Sequence, residues 1–439
     1  MSQYTPHTPE EARAMLKTLG LSSLDQLFLS IPAGVKRGMP ADERPGLTQM
    51  ETLQAMEALA ARNTQYRLTL RGAGSYDHFI PPVVPQLTGK KEFLSSYTPY
   101  QAELSQGMLQ AIFEYQTLIC ELTGMDASNA GVYDFATAAA ESAVMCRDRG
   151  RTAALVSAAA HPDTLAVMRT YGFGTDTEVR VAPLKDGRTD LNALKEMLTD
   201  DVASLYIQQP NFFGLLEDVP ALFSAAKEAG VKCILGANPM TLAILPGGGE
   251  LGADIVCGDA QPFGLPMAYG GPHAGYMACT QALLRRLPGR IAGQTTDAEG
   301  RRAFVLTLQA REQHIRREKA ASNICTNHAH CALTASVYLT YMGLRGITAV
   351  AESCLSKAHY FAAELCKIKG VSLRHKGEFF HEFVTDLKNP EAVEAALHER
   401  GVLSGLPIEG GMLWCVTEKA GKAQLDEAVK LMREVCEGA

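Results

Sequence analysis

Between about Glu103 and Val256 the sequence alternates between helix-length amphipathic runs and short apolar runs, and that alternation leaves few folds open. Gln110–Thr123 and Thr137–Arg147 have helical spacing, Ala153–Val156 reads as a strand, and a helix is predicted near Pro162–Tyr171. Val179–Ala182, Ala203–Ile207 and Cys233–Leu235 are further strand candidates, with Leu222–Glu228 on a helix between the last two. A strand that reaches the next one through a helix must cross over the sheet face and return parallel. The pattern therefore predicts βαβ units in an α/β domain with a mostly parallel sheet.

The flanks differ in character. Thr8, then Glu10 and Glu11, then the apolar series Ala14, Leu16 and Leu19 predict a capped amphipathic helix. A loop with Pro32, Pro40 and Pro45 follows, then a second helix over Thr48–Ala61. Arg71–Pro85 and Tyr97–Gly107 read as irregular. Beyond about Leu333 come helices over 333–342 and 347–366, and short strands near Ser372–Arg374, Phe379–Thr385, Val402–Ser404 and Met412–Val416. Helices near Asn389–Arg400 and Ala423–Cys436 complete this part. The expected organisation is an N-terminal helical arm (1–95), a large α/β domain (96–332) and a small α+β C-terminal domain (333–439).

Charge and cysteine content narrow the setting. A net charge of -7 argues against nucleic acid, because phosphate binding needs a basic face. The eleven cysteines contain no C-x-x-C pair, so they predict reduced thiols in the cytoplasm and no disulfide framework. Met1–Glu10 carries no apolar core of a secretory signal, and no uncharged apolar stretch reaches the roughly 18 residues of a membrane span.

The run from Ile255 to Pro272 carries the most chemistry: an apolar strand, then Gln261, then a turn rich in Pro and Gly. It has the layout of the segment that bears the Schiff-base lysine in the large pyridoxal-phosphate (PLP) fold, with glutamine in the lysine's place. No lysine lies between Lys232 and Lys319. PLP also needs an acid against its ring nitrogen, yet the upstream strand ends Leu235-Gly-Ala-Asn238 without a carboxylate. An unrelated fold with connecting glycine turns would read the same way.

Other candidates carry similar alternatives. His161, in Ser157-Ala-Ala-Ala-His161-Pro, stands where an imidazole could stack on a cofactor ring, or is simply the start of a helix. Thr137, in Phe135-Ala-Thr137-Ala-Ala-Ala-Glu141, opens a small-residue helix whose N–H groups could bind phosphate, or whose alanines only pack closely. Between Arg285 and Lys319 there are nine Lys or Arg against four Asp or Glu, either a patch for an acidic group or a solvated face. Tyr97 and Tyr100 could present their rings to a ligand, or only cover the sheet edge. His328 and His330 lack a nearby third ligand and read as ordinary helix residues, so no metal is expected.

Taken together, the sequence resembles the glycine cleavage system P-protein family, and in particular the first half of its long form. The resemblance is carried by Tyr97-Thr-Pro-Tyr100-Gln101, Ser105-Gln-Gly107, Glu114-Tyr-Gln-Thr117, Thr137-Ala-Ala-Ala-Glu141, Phe263-Gly-Leu-Pro266, Tyr269-Gly-Gly-Pro-His273, Pro288-Gly-Arg290 and Arg311-Glu-Gln-His314-Ile-Arg316-Arg-Glu-Lys319 with Ser322-Asn323-Ile-Cys-Thr326. It implies a PLP-dependent transferase-like (fold type I) large domain. It also implies the split form of the family, with this chain as subunit 1 and the PLP lysine on subunit 2. Gln261 falls opposite that lysine, and His161, Thr137 and His273 would belong to a degenerate cofactor pocket. By the same resemblance glycine is decarboxylated on the partner's PLP, and the aminomethyl group passes to the lipoyl group of H-protein in an α2β2 assembly. Tyr97, Tyr100, Gln101, His314, Arg316, Lys319, Asn323 and Thr326 are the residues expected near an interface active site.

Overall fold

The structure, a computed structural model, describes residues 7–36, 46–96, 98–320, 322, 324 and 328–437. The chain divides into two compact units, residues 1–64 and 65–439. In the first, α1 (Pro9–Thr18) and α2 (Gln49–Ala60) each begin with a reciprocal cap. The Glu11 N–H donates to Thr8 Oγ1 (3.2 Å) and the Thr8 N–H to the Glu11 carboxylate (2.7 Å). Thr48 and Glu51 repeat this at 3.3 and 2.8 Å. The caps satisfy N–H groups that a helix start otherwise leaves open. Neither helix buries a residue within the described structure.

The second unit is built on a seven-stranded sheet. In chain order its strands are β1 (Ala127–Ser128), β2 (Ala153–Ser157), β3 (Val179–Ala182), β4 (Val202–Gln209), β5 (Lys232–Ala237), β6 (Ile255–Asp259) and β7 (Gly275–Cys279). They lie in the order β1-β7-β6-β5-β4-β2-β3. Strands β2 to β6 are parallel to one another, while β7 runs antiparallel to both β6 and β1. The parallel α/β sheet expected from the sequence is present. Strand β4 is buried along all but its last residue, as a sheet covered on both faces requires.

One face carries α3 (Gln106–Thr123), α6 (Val219–Glu228) and the long helix α7 (Ala329–Leu365), with Tyr115, Ile119, Phe223 and Tyr338 in the core. The other carries α4 (Phe135–Cys146) and α5 (Pro162–Thr175). Ala138, Ala139, Ala140 and Ala143 of α4 are all buried, and their short side chains let this helix lie close over the strands. Helix α7 is two helices joined at Gly343, whose φ of 60° and ψ of 178° a residue with a Cβ rarely adopts. The expected break between 342 and 347 falls there.

A four-stranded antiparallel sheet forms the C-terminal part: β10 (Ser372–Leu373), β11 (Glu382–Asp386), β12 (Leu406–Ile408) and β13 (Gly411–Cys415), in the order β10-β11-β13-β12. Trp414, Phe361 and Phe383 centre its core, and Trp414 Nε1 donates to Thr385 Oγ1 at 2.8 Å. Leu68 and Thr69 pair in parallel with Val402 and Leu403, so the loop that follows crosses toward the central sheet. The sequence reading lacked β7 and an antiparallel hairpin, β8 (Ile291–Thr296) with β9 (Arg302–Thr307), which lies inside the charged run. Among the described residues no helix is long and apolar enough to cross a membrane.

Candidate functional site

Consecutive strands leave β2 in opposite directions across the sheet: β3 on one side, β4 on the other. Such a reversal opens a crevice at the C-terminal strand ends, where ligands of open α/β sheets bind. A cavity of about 670 Å³ lies there. His161 and Thr164 after β2, Gln208 and Asn211 at the end of β4, and Asp259 at the end of β6 line it, beneath a roof formed by Ala73–Tyr76.

Gln261 lies behind the cavity and holds its roof. It is 1% exposed, and its carboxamide binds both backbone groups of one residue of the roof. Gln261 Oε1 accepts the Tyr76 N–H at 2.9 Å, and Nε2 donates to the Tyr76 carbonyl at 2.9 Å and to the Leu265 carbonyl at 2.8 Å. A lysine could not do this, because an ammonium offers donors and no acceptor. Position 261 is therefore a clamp on the Tyr76 backbone.

Two further groups hold the roof. Glu382 at the start of β11 accepts the Ala73 N–H at 2.7 Å and the Tyr76 hydroxyl at 2.9 Å. His161 lies 3.0 Å from the Ala73 carbonyl through Nε2 and accepts the Asp163 N–H through Nδ1, so its proton sits on Nε2. Gly72 is required beside them, since a Cβ there would meet Glu382 Oε1 at 2.6 Å and the Tyr76 ring at 2.8 Å. Burial pushes the Glu382 carboxyl up to about 7, against the pull of its two hydrogen bonds.

Asp259 is also buried. Its carboxylate accepts the Gln261 and Ala274 N–H groups at 2.9 and 3.0 Å and pairs with His273 Nδ1 at 2.8 Å. The hydrogen bond from Asp259 raises the His273 pKa above its ordinary value. His328 Nδ1 lies 2.5 Å from the His273 carbonyl, so this histidine, read as an ordinary helix residue, lines the cavity.

These residues do not fit covalently held PLP. Gln261, expected from the sequence to stand in the lysine's place, has no amine and both of its N–H groups are engaged. Strand β5 ends in Ala237 and Asn238, and Asn238 Oδ1 accepts the Met240 N–H at 3.0 Å. The expected phosphate-binding helix start, α4, is capped by its own carboxylate: Asp134 Oδ1 accepts the Thr137 N–H at 2.7 Å. That acid occupies the anion position and would repel a phosphate. No Lys or Arg is among the described residues lining the cavity.

Of the other expected site residues, Tyr100 and His314 come together, with ring centroids 5.3 Å apart. Tyr100 is held by Arg290, whose guanidinium lies 4.6 Å from the Tyr100 ring and donates to its hydroxyl. Glu312 stands beside them, 3.6 Å from His314 Nδ1 and 3.9 Å from Arg290 Nε. Arg316 Nε donates to the Ala310 carbonyl at 2.8 Å, while Gln101 and Lys319 are exposed. Tyr97, Asn323 and Thr326 lie outside the described residues. Ser322 donates to buried Glu141 at 2.7 Å, whose carboxyl burial pushes up to about 6.

The basic run is not one patch. Arg290 is buried, Arg311 donates to the Leu287 and Gly289 carbonyls, and Arg286 and Arg301 pair with Asp148 and Asp297. The sequence reading missed Asp134, Asp259, Tyr76 and Glu382. The Gly72-Ala-Gly74-Ser-Tyr76 run and an acid two residues before Gln261 were the available signals.

Residues 2–432 match the family model described as "Glycine cleavage system P-protein". The chain is 44% identical over 443 residues to the probable glycine dehydrogenase (decarboxylating) subunit 1 of Desulfitobacterium hafniense, covering 98% of this chain and 99% of that protein. It is 45% identical over 440 residues to the protein of the same name from Geobacillus kaustophilus, covering 98% of each. Among solved structures, a glycine decarboxylase (P-protein) of the glycine cleavage system in inhibitor-bound form superposes with a TM-score of 0.91 at 42% identity, covering 99% of this chain and 100% of that one. A sphingosine-1-phosphate lyase from Burkholderia pseudomallei, 16% identical over 94% of each chain with a TM-score of 0.68, shares the fold. The architecture is that of fold type I PLP enzymes.

Two predictions follow the geometry. Gln261→Leu and Gln261→Lys both leave the Tyr76 N–H without an acceptor, and each is expected to cost about 2–4 kcal/mol in denaturant unfolding. A Gln261→Lys protein as stable as the parent would refute the clamp. Glu382 has a folded pKa raised from 4.5 to about 7, so the stability it allows is complete below about 4.5 and is lost as pH rises to about 7. Stability curves of the parent and Glu382→Gln should therefore diverge over that window by on the order of 3 kcal/mol, with the parent losing more. Parallel curves would show that Glu382 titrates as an ordinary carboxylate.

Proposed function

The chain belongs to the glycine cleavage system P-protein family, and from that premise we propose that it is the subunit of a heteromeric glycine dehydrogenase (decarboxylating) that does not carry the PLP. A second subunit holds PLP through its lysine and decarboxylates glycine there. The aminomethyl group goes to the lipoyl group of H-protein, CO2 is released, and the complex is an α2β2 assembly in the cytoplasm. On its own this chain is inactive.

The observation that carries this reading is the Gln261 carboxamide, spent entirely on the Tyr76 backbone and the Leu265 carbonyl at the position opposite the family's lysine. The Asp134 cap supports it independently, because a carboxylate stands where a phosphate would have to bind. Similarity along the whole length to proteins named subunit 1 supports the split arrangement.

What the chain contributes, in this proposal, is one side of an active site completed across the subunit interface. Tyr97, Tyr100, His314, Arg316, Lys319 and Asn323 are assigned to that side, with Gln101 and Thr326 beside them. Buried Arg290 fixes the Tyr100 ring, which remains 44% exposed and carries His314 against it. A rigid aromatic with a titratable neighbour can orient a substrate arm without itself reacting. A second reading, a scaffold with no active-site residue, is favoured by the same contacts: the Tyr100 hydroxyl is engaged by Arg290 and Arg316 Nε by a backbone carbonyl.

Incubation with PLP, borohydride reduction and intact mass would separate the two subunits. The expected result is no stoichiometric pyridoxyl adduct on this chain and one on its partner. An adduct at any single lysine here, Lys319 included, overturns the proposal. In the reconstituted complex, Tyr100→Phe and His314→Gln should lower turnover by about tenfold, equivalent to about 1.4 kcal/mol, while the complex stays assembled on gel filtration. Unchanged kinetics in both would leave the scaffold reading.

A further inference from the structure

Behind the roof of the cavity, three side chains from distant parts of the chain converge: His78, Cys354 in the second half of α7, and Glu418 just after β13. Their ligand atoms all lie within 4.8 Å of one another. His78 is 5% and Cys354 0% exposed. His78 Nδ1 is 2.7 Å from Glu418 Oε2, and Cys354 Sγ is 3.4 Å from the same oxygen. The outer side of Glu418 is held in place: the Phe79 N–H donates to Oε1 at 2.6 Å, and Lys357 donates to the Glu418 carbonyl. Such outer contacts are what orients a metal-binding carboxylate.

A second observation points to something missing from this cluster. The His381 ring lies over that of His78, 15° from parallel with centroids 6.4 Å apart, and is 1% exposed. Neither nitrogen of His381, nor His78 Nε2, has a hydrogen-bond partner among the described residues. A buried polar atom without a partner costs about 1–3 kcal/mol and calls for a water or an ion.

We propose that His78, Cys354 and Glu418 bind a borderline divalent cation of the zinc class, with a fourth position toward His381 taken by water. The donor set selects the metal. Thiolate and imidazole suit zinc or cobalt and are poor ligands for calcium or magnesium, which take oxygen. Thiolate and carboxylate together balance the two positive charges. The site forms when the Cys354 S–H bond breaks and its sulfur pair binds the cation, releasing one proton to solvent. His78 ligates through Nδ1, giving up to solvent the proton that it donates to Glu418 and taking one from solvent on Nε2, so the net release is the one proton of Cys354. The His78–Glu418 contact opens by about half an ångström to place both atoms about 2.1 Å from the cation. Bound there, the cation braces the 72–79 loop, α7 and the C-terminal sheet, and so supports Tyr76 from behind.

The test is a titration of the full chain, reduced and freed of metal by chelation, with Co²⁺. The expected result is one equivalent bound with a sulfur-to-cobalt charge-transfer band, one proton released, and a raised Tm with Zn²⁺. Cys354→Ala should lose the band and weaken binding by more than about 100-fold, while Cys366→Ser, at an exposed cysteine, should keep both. Absence of the band in the parent, or its persistence in Cys354→Ala, overturns the proposal. Should Cys354→Ala not fold, His78→Gln decides: cobalt bound as tightly as by the parent would overturn it equally.

Discussion

The bond that organises this structure is a single carboxamide against a single backbone unit. Gln261 accepts the Tyr76 N–H and donates to the Tyr76 carbonyl, the way a neighbouring strand would, and so closes the 72–76 loop over the ends of the parallel strands. The amide can do this because it presents a donor and an acceptor side by side. Once it is so engaged, it has no N–H left to offer a ligand.

The charges around the cavity follow from that closure. Glu382 and Asp259 are buried, and each is held by hydrogen bonds: Glu382 by Ala73 and Tyr76, Asp259 by Gln261, Ala274 and His273. A buried carboxylate without such donors would be strongly disfavoured. Asp134 adds a third acid at the start of α4. With these acids around it, and no Lys or Arg among the described residues that line it, the cavity disfavours a phosphate. Buried Arg290 holds a tyrosine, and Arg311 holds main-chain carbonyls.

Much of the fold was legible because the signals are local. Apolar runs bounded by polar turns marked β2 to β6, and the capping boxes at Thr8 and Thr48 marked two helix starts. The hairpin β8–β9 was missed although Ala303–Leu306 is a continuous apolar run, because it lies inside a stretch read for its charge. The site was legible only in part. Gln261, His161 and His273 could be singled out by position; the structure places His161 and His273 around one cavity and Gln261 against the backbone of its roof. Tyr76 and Glu382 could not, since they lie 185 and 121 residues from Gln261 and share no motif with it.

By itself the sequence determined that the chain builds a mostly parallel α/β sheet, and that no lysine lies between Lys232 and Lys319, because periodicity and residue identity are properties of short stretches. Only the tertiary structure decided what replaces that chemistry. Whether Gln261 faces a ligand or a backbone, whether Asp134 caps its own helix, and whether His78 meets Glu418 all depend on which loops the sheet brings together. Contacts between residues hundreds of positions apart are set by the packing of the whole chain, and no local pattern records them.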